Sequence, residues 1–419
     1  MTELGIVDPE IAAAIENEFL QQAMTIELNA ATNFPSRPVI EAQGSVLAHK
    51  TLEGYPGRRY HGGHRNVDVI ERIGIERVKE LFGSEHANIQ PHGGVNANLA
   101  VYFATLDPGD GILGMDLGMG GHLSHGHKAS ITGKFFRAFS YGVDPQTELI
   151  DYEAVRRIAH KERPRMIICG ASAYPRVIDF AQFQEIAKDV GAFLLADIAH
   201  VAGLVAGGVY PSPVPYADFV TMTSYKTLRG GRGGIILCRK KYAQKIDAAV
   251  FPGVQGSMHA HLMAGKAVTF KLASSESFKN YARQVVTNAR ALADELRGRD
   301  YRIVSGGTDS HLVLVDLSDQ GMTGAQAQGF LEEVNIICNK NTIPFDSKGP
   351  ELTSGIRLGS SAVTTRGFCE SEMETVAEMI DLILSNPAHG MTKDMVRERA
   401  KELCVRFPLH LDRWEMGVL

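Results

Sequence analysis

The strand-like run FLLAD ends in Asp197, with His200 three residues further on, and the later run FVTMTS leads into Lys226. In open α/β sheets the carboxyl ends of strands border the ligand crevice, so these groups would face one bound molecule. An aspartate there can pair with a protonated ring nitrogen, and a deprotonated lysine amine can form a Schiff base with an aldehyde. Gly93 and Gly94, in QPHGGVNANLAVYFATL, stand before a predicted helix whose free N–H groups and dipole can hold a phosphate. Arg357, in TSGIRLGSS, carries a planar fork able to grip a substrate carboxylate through two parallel hydrogen bonds. Each has a plainer reading alone: an aspartate capping a turn, an exposed lysine in a glycine-rich loop, glycines of the kind that precede many helices, a surface salt bridge. Together they are the parts list of a pyridoxal-phosphate enzyme acting on amino acids.

Such groups need a sheet to carry them. Apolar runs at 111–117, 165–172, 193–199, 219–224 and 233–238 read as buried strands, and segments such as 177–190 have helical periodicity. This alternation predicts an α/β fold with a large, mainly parallel sheet. From about residue 276 the pattern changes to a long polar-faced helix (276–298), strands near 301–305 and 311–316, a helix at 323–334, a strand and a final helix near 370–385. The expected division is an N-terminal arm (1–48), a large cofactor-binding domain (49–275) and a smaller α+β domain (276–419), since 419 residues exceed what one core usually serves.

With 44% hydrophobic and 22% charged residues the composition is globular, and 48 acidic against 43 basic side chains give no general attraction to nucleic acid. The cysteines are scattered without CxxC spacing, so neither a metal site nor a disulfide framework is expected, and a reducing cytoplasm fits. The N-terminal MTELGIVDPEIAAAIENEF is acidic and helical, unlike a secretory signal. The uncharged stretch after Ile198 is broken by Gly203, Gly207, Gly208, Pro211, Pro213 and Pro215, so no membrane span is expected.

Longer motifs carry a resemblance. LEGYPGRRYHGG (52–63), MGGHLSHG (119–126), LLADIAHVAGLVAGGVYPSPVP (194–215), KTLRGGRGG (226–234), VSGGTDSHLVLVDL (304–317) and TSGIRLGSSAVTTRGF (353–368) resemble serine hydroxymethyltransferase over nearly the whole chain. The resemblance implies a fold-type I pyridoxal-phosphate enzyme, a homodimer or dimer of dimers with shared active sites, and tetrahydrofolate as a co-substrate. By it, Lys226 is the Schiff-base lysine, Asp197 the partner of the pyridine nitrogen and His122 the imidazole stacked on the ring. Ser172 and His200 match groups near the ring oxygen, and Arg357 matches the carboxylate arginine. Glu53 and Tyr60 match residues supplied by the neighbouring subunit, with Glu53 moving a proton at the hydroxymethyl group. Leu117, Gly121, Leu123 and Asn341 match positions around the folate.

The chain departs from that pattern chiefly at the amino-acid end of the site. Thr51 stands where the family has tyrosine, and His61 replaces the second tyrosine of RYYGG. His64 and Arg65 replace a cysteine and an acidic residue, and Ala31, Thr32, Asn33 stand for Ser-Glu-Asn. Gly93 replaces a serine in the phosphate region, Tyr225 replaces the histidine before the lysine, and Gly256, Ser257, Met258 replace GGP. Losing a tyrosine ring at Thr51 vacates space near the substrate α-carbon, as a site must to admit an extra methyl group. The change resembles the branch handling 2-methylserine, whose cleavage would give D-alanine and a one-carbon unit, as formaldehyde or on tetrahydrofolate. His61 is a candidate for the missing tyrosine's proton-transfer role or for a hydrogen bond alone. An ordinary L-serine/glycine hydroxymethyltransferase is the alternative.

Overall fold

In a computed structural model, which describes residues 2–409, the apolar runs become a seven-stranded sheet. From one edge to the other its strands are His86–Asn88, Gly234–Cys238, Phe219–Thr223, Phe193–Asp197, Met166–Cys169, Gly111–Met115 and Arg137–Tyr141. Neighbours are parallel from Phe219–Thr223 to Arg137–Tyr141, while Gly234–Cys238 runs antiparallel to both strands beside it. The inner strands are apolar without alternation because both faces are covered. Leu194 and Ala196 pack into one core layer, and Leu195, with Ile112, Ile168 and Ile236, packs into the other. The edge strands His86–Asn88 and Arg137–Tyr141 lie outside the expected set. The second is largely exposed and so lacks the apolar run that marks a buried strand.

The second half builds an antiparallel sheet ordered Arg302–Ile303, Leu312–Asp316, Gly355–Gly359 and Asn339–Asn341. Its core also takes in Ile26 and Leu28 from the N-terminal segment, and Ile26 pairs in parallel with Ile336. The helix Glu276–Arg297 belongs to both main cores: Phe278, Tyr281 and Val285 face the large one, and Ala289, Leu292 and Leu296 the small one. The helix expected to be final, Glu370–Ser385, is followed by another, Gly390–Arg406. That one buries only the narrow stripe Val396, Ala400, Leu403 and Cys404, too thin a periodic signal to stand out among its charges. No helix among the described residues is long and apolar enough to cross a membrane.

Candidate active site

Three neighbouring parallel strands deliver the chemistry. Asp197 is the last residue of its strand, Ser172 follows Met166–Cys169, and Lys226 follows Phe219–Thr223. These ends open on a cavity also lined by Gly94, His122, His200 and Tyr225. Gly93 is the N-cap of the helix Gly94–Thr105 and offers no side-chain cap, so the first N–H groups, among them those of the lining residues Gly94 and Val95, remain free for an anion. Tyr225 is held beneath Arg232, whose guanidinium lies 4.1 Å from the ring centroid.

Asp197 is held at both oxygens, with one of its four acceptor positions left over. One carboxylate oxygen accepts from Asn98 Nδ2 at 2.9 Å and His125 Nε2 at 3.0 Å, and the other accepts from the Ala199 N–H at 3.0 Å. Burial alone would push its pKa up, but these bonds and the nearby imidazoles outweigh it and hold the group well below the usual carboxylate range. Asp197 is therefore a fixed negative charge at the cavity floor. Burial acts oppositely on Lys226, lowering its amine to about 8, with Arg357 and Arg232 adding to the shift and Asp197 opposing it. Burial lowers His122 to about 4, assisted by His125, so its ring is neutral. Its Nδ1 lies 3.1 Å from the Ser124 N–H it accepts and 2.8 Å from Ser124 Oγ, which fixes the ring.

Arg357 arrives from the small sheet. Its cross-strand neighbour Asn339 accepts from Nε at 3.1 Å, and Nη1 donates to the Ser172 carbonyl at 2.6 Å. Burial pulls the guanidinium down to about 10, which leaves it charged at neutral pH. Two of its five N–H groups are thus used in aiming the fork, and the others remain for a carboxylate.

The remaining expected residues lie elsewhere. Thr51, Glu53, Tyr60 and His61 line no part of the Lys226 cavity and stand at the surface, Tyr60 being 71% exposed. They flank a small hairpin, Gly54–Tyr55 with Arg58–Arg59, bolted to the helix Arg65–Phe82. Arg59 bonds to Asp68 at 2.8 Å and also meets Glu71, and Gln90 donates to Glu71 at 2.7 Å and to the Gly54 carbonyl at 3.0 Å. Outward on this rigid support, His61 Nε2 lies 3.5 Å from Glu53 Oε2. The buried His64 ring sits between the His61 carbonyl, 2.7 Å from Nδ1, and the Thr51 carbonyl, 3.0 Å from Nε2. Three departures from the family pattern thereby lie together, the His64 ring meeting the other two at their backbone carbonyls. Leu117 lines an adjoining cavity that shares His122, and Leu123 is 48% exposed. Gly121 is packed against the Met115 backbone. Asn341, on the edge of the small sheet, lines neither cavity and donates to the Thr342 carbonyl at 2.6 Å.

The sequence alone assigns no aiming role to the residues that hold these groups. Asn98 and His125 orient Asp197, Asn339 orients Arg357, and Asn33 Nδ2 fixes the Lys226 carbonyl at 2.9 Å. The one local signal was position: Asn98 falls a single turn after Gly94, on a helix already expected to open at the site.

The residues present fit pyridoxal phosphate. A buried aspartate suits its ring nitrogen, an amine of lowered pKa its aldehyde, an uncapped helix end its phosphate and a neutral imidazole its ring face. A family model for serine hydroxymethyltransferase matches residues 4–380. The enzymes of that family use this cofactor, with tetrahydrofolate as co-substrate, and the chain belongs to the serine hydroxymethyltransferase family as a pyridoxal-phosphate-dependent one-carbon transferase.

Proposed function

We propose that this enzyme interconverts 2-methylserine with D-alanine and a one-carbon unit, carried as 5,10-methylenetetrahydrofolate or released as formaldehyde. The observation that supports the reading is Thr51 in place of a tyrosine on the segment that also carries Glu53, where His61 Nε2 lies 3.5 Å from Glu53 Oε2. A short side chain at Thr51 leaves room for a methyl group on the substrate α-carbon, and His61 stands next to the carboxylate proposed to handle the hydroxyl proton. When bound, pyridoxal phosphate supplies the electron sink for the Cα–Cβ bond that breaks.

The chain's own residues do the rest. Lys226 is the amine that anchors the cofactor, Asp197 holds the ring nitrogen protonated, and Arg357 grips the substrate carboxylate. Ser172, His200, His122, Tyr225 and the Gly93–Gly94 helix end enclose the cofactor. Glu53 takes the proton from the substrate hydroxyl, with Tyr60 and His61 beside it. The family resemblance supports a working site that joins two copies, as a homodimer or dimer of dimers, and a hairpin outside the Lys226 cavity of its own chain agrees with that reading. Leu117, Gly121, Leu123 and Asn341 are the proposed folate contacts, and the cytoplasm is the proposed location.

Steady-state kinetics with 2-methyl-L-serine and L-serine, each with and without tetrahydrofolate, test the reading. A higher kcat/KM for 2-methyl-L-serine is expected, and a strong preference for L-serine would establish the ordinary serine/glycine reaction instead. Thr51→Tyr should lower the 2-methylserine to L-serine ratio of kcat/KM by about tenfold or more, the scale of one methyl group meeting a filled pocket.

A further inference from the structure

His200 reaches the cavity from the large sheet, and its ring lies edge to edge with His311, with centroids 5.5 Å apart and planes 29° from parallel. His311 is completely buried at the start of the Leu312–Asp316 strand, its carbonyl accepting from the Ser360 N–H at 2.9 Å. Its Nε2 lies 3.2 Å from the Ala30 carbonyl and 3.4 Å from His200 Nδ1, while its Nδ1 is buried without a partner. A carbonyl oxygen only accepts, so the proton of His311 is on Nε2 and its Nδ1 is bare. The same N–H then points at His200 Nδ1, which must also be bare, since two N–H groups would oppose each other. That leaves the proton of the neutral His200 ring on Nε2, the nitrogen with no hydrogen-bond partner among the described residues.

Burial, with Lys226 and Arg357 close by, holds His200 well below its ordinary value, and burial lowers His311 to about 3, so both rings are neutral. Ala30 is itself pinned: Gly359 donates to the Leu28 carbonyl at 2.6 Å, and a Cβ at Gly359 would lie 2.8 Å from the Ala30 nitrogen.

We propose that His311 is a positioning residue that reads the Ala30 carbonyl and fixes the tautomer of His200, so that His200 presents an N–H donor, and not a lone pair, to an anionic oxygen of the bound cofactor or substrate. The inference rests on the reading that His200 faces that molecule. It ties the N-terminal segment and the small sheet to one proton in the cavity.

Nitrogen-15 spectra of the histidine-labelled holoenzyme are expected to show a protonated Nε2 and a bare Nδ1 at His200; the reverse overturns the proposal. His311→Phe keeps the ring but loses the donor, and should weaken pyridoxal-phosphate affinity and kcat/KM on the order of tenfold, one hydrogen bond's worth. His311→Gln restores an N–H at the same place and should recover both to within about threefold on that scale. Equal impairment of the two variants at native melting temperature, or a native-like His311→Phe, overturns it. Should His311→Phe not fold, the nitrogen spectra of the native protein still decide. His200→Phe separates the two layers: if native-like, the cavity role of His200 fails and the proposal with it; if impaired while His311→Phe is not, the relay alone fails.

Discussion

Lys226 is the residue whose charge state depends most directly on where the chain puts it. With its amine near 8 against an ordinary 10.5, uptake of pyridoxal phosphate by the cofactor-free protein should quicken as pH rises through about 8 and then level off. Stopped-flow absorbance reads this, and Lys226→Met should show no such uptake. Between about 8 and 10.5 the unfolded chain binds a proton at this lysine that the folded one does not, so its contribution makes the folded state more stable as pH rises across that window. Lys266, lowered by burial to about 7, adds a slope of the same sign from a lower pH. Comparing native protein with Lys226→Met in urea titrations isolates the part due to Lys226. For Asp197→Asn the ring nitrogen loses its counter-charge, and kcat should fall on the order of a hundredfold while the protein remains folded. At this scale the sequence was informative about Asp197, Lys226 and Arg357, because strand ends and residue chemistry are local properties. It was silent on Asn98, His125 and His311, whose roles exist only once distant segments meet.

Elements were legible where burial writes itself into composition. The inner strands are apolar on both faces and announce themselves; the exposed strand Arg137–Tyr141 and the thin stripe of Gly390–Arg406 do not. Gly203 illustrates a residue noticed for the wrong reason. In the sequence it counts against a membrane helix, whereas in the fold it lets the short helix Ala202–Ala206 lie directly on the backbone after Lys226. A Cβ at 203 would collide with the Thr227 carbonyl and come within 2.6 Å of the Leu228 nitrogen. The Gly203 N–H also donates to Thr227 Oγ1 at 2.9 Å, whose hydroxyl donates to the His200 carbonyl at 2.7 Å. Gly203→Ala should therefore cost about 1–3 kcal/mol in urea unfolding, the usual range for overpacking, and weaken cofactor affinity by displacing the Lys226 loop.

On the scale of the molecule, the two main cores are joined by the shared helix Glu276–Arg297. Asn288, fully buried within it, donates to Thr364 Oγ1 at 2.9 Å and to the Phe368 carbonyl at 2.8 Å. Asn288→Ala strands the buried Phe368 carbonyl and leaves Thr364 Oγ1 only its bond to the Ser360 carbonyl, and should cost about 1–3 kcal/mol, read as a lower urea midpoint. The change in the sequence pattern near residue 276 marks where this helix begins, but no local property could say that it serves both sides, since that depends on which face meets which sheet. One practical consequence concerns cutting the gene. A fragment ending at 275 would leave its own hydrophobic layer without Phe278, Tyr281, Ala282, Val285 and Val286, and the other fragment would carry those side chains with nothing to cover them. Two halves expressed separately from that point would be adhesive rather than independent, each soluble only insofar as it found the other.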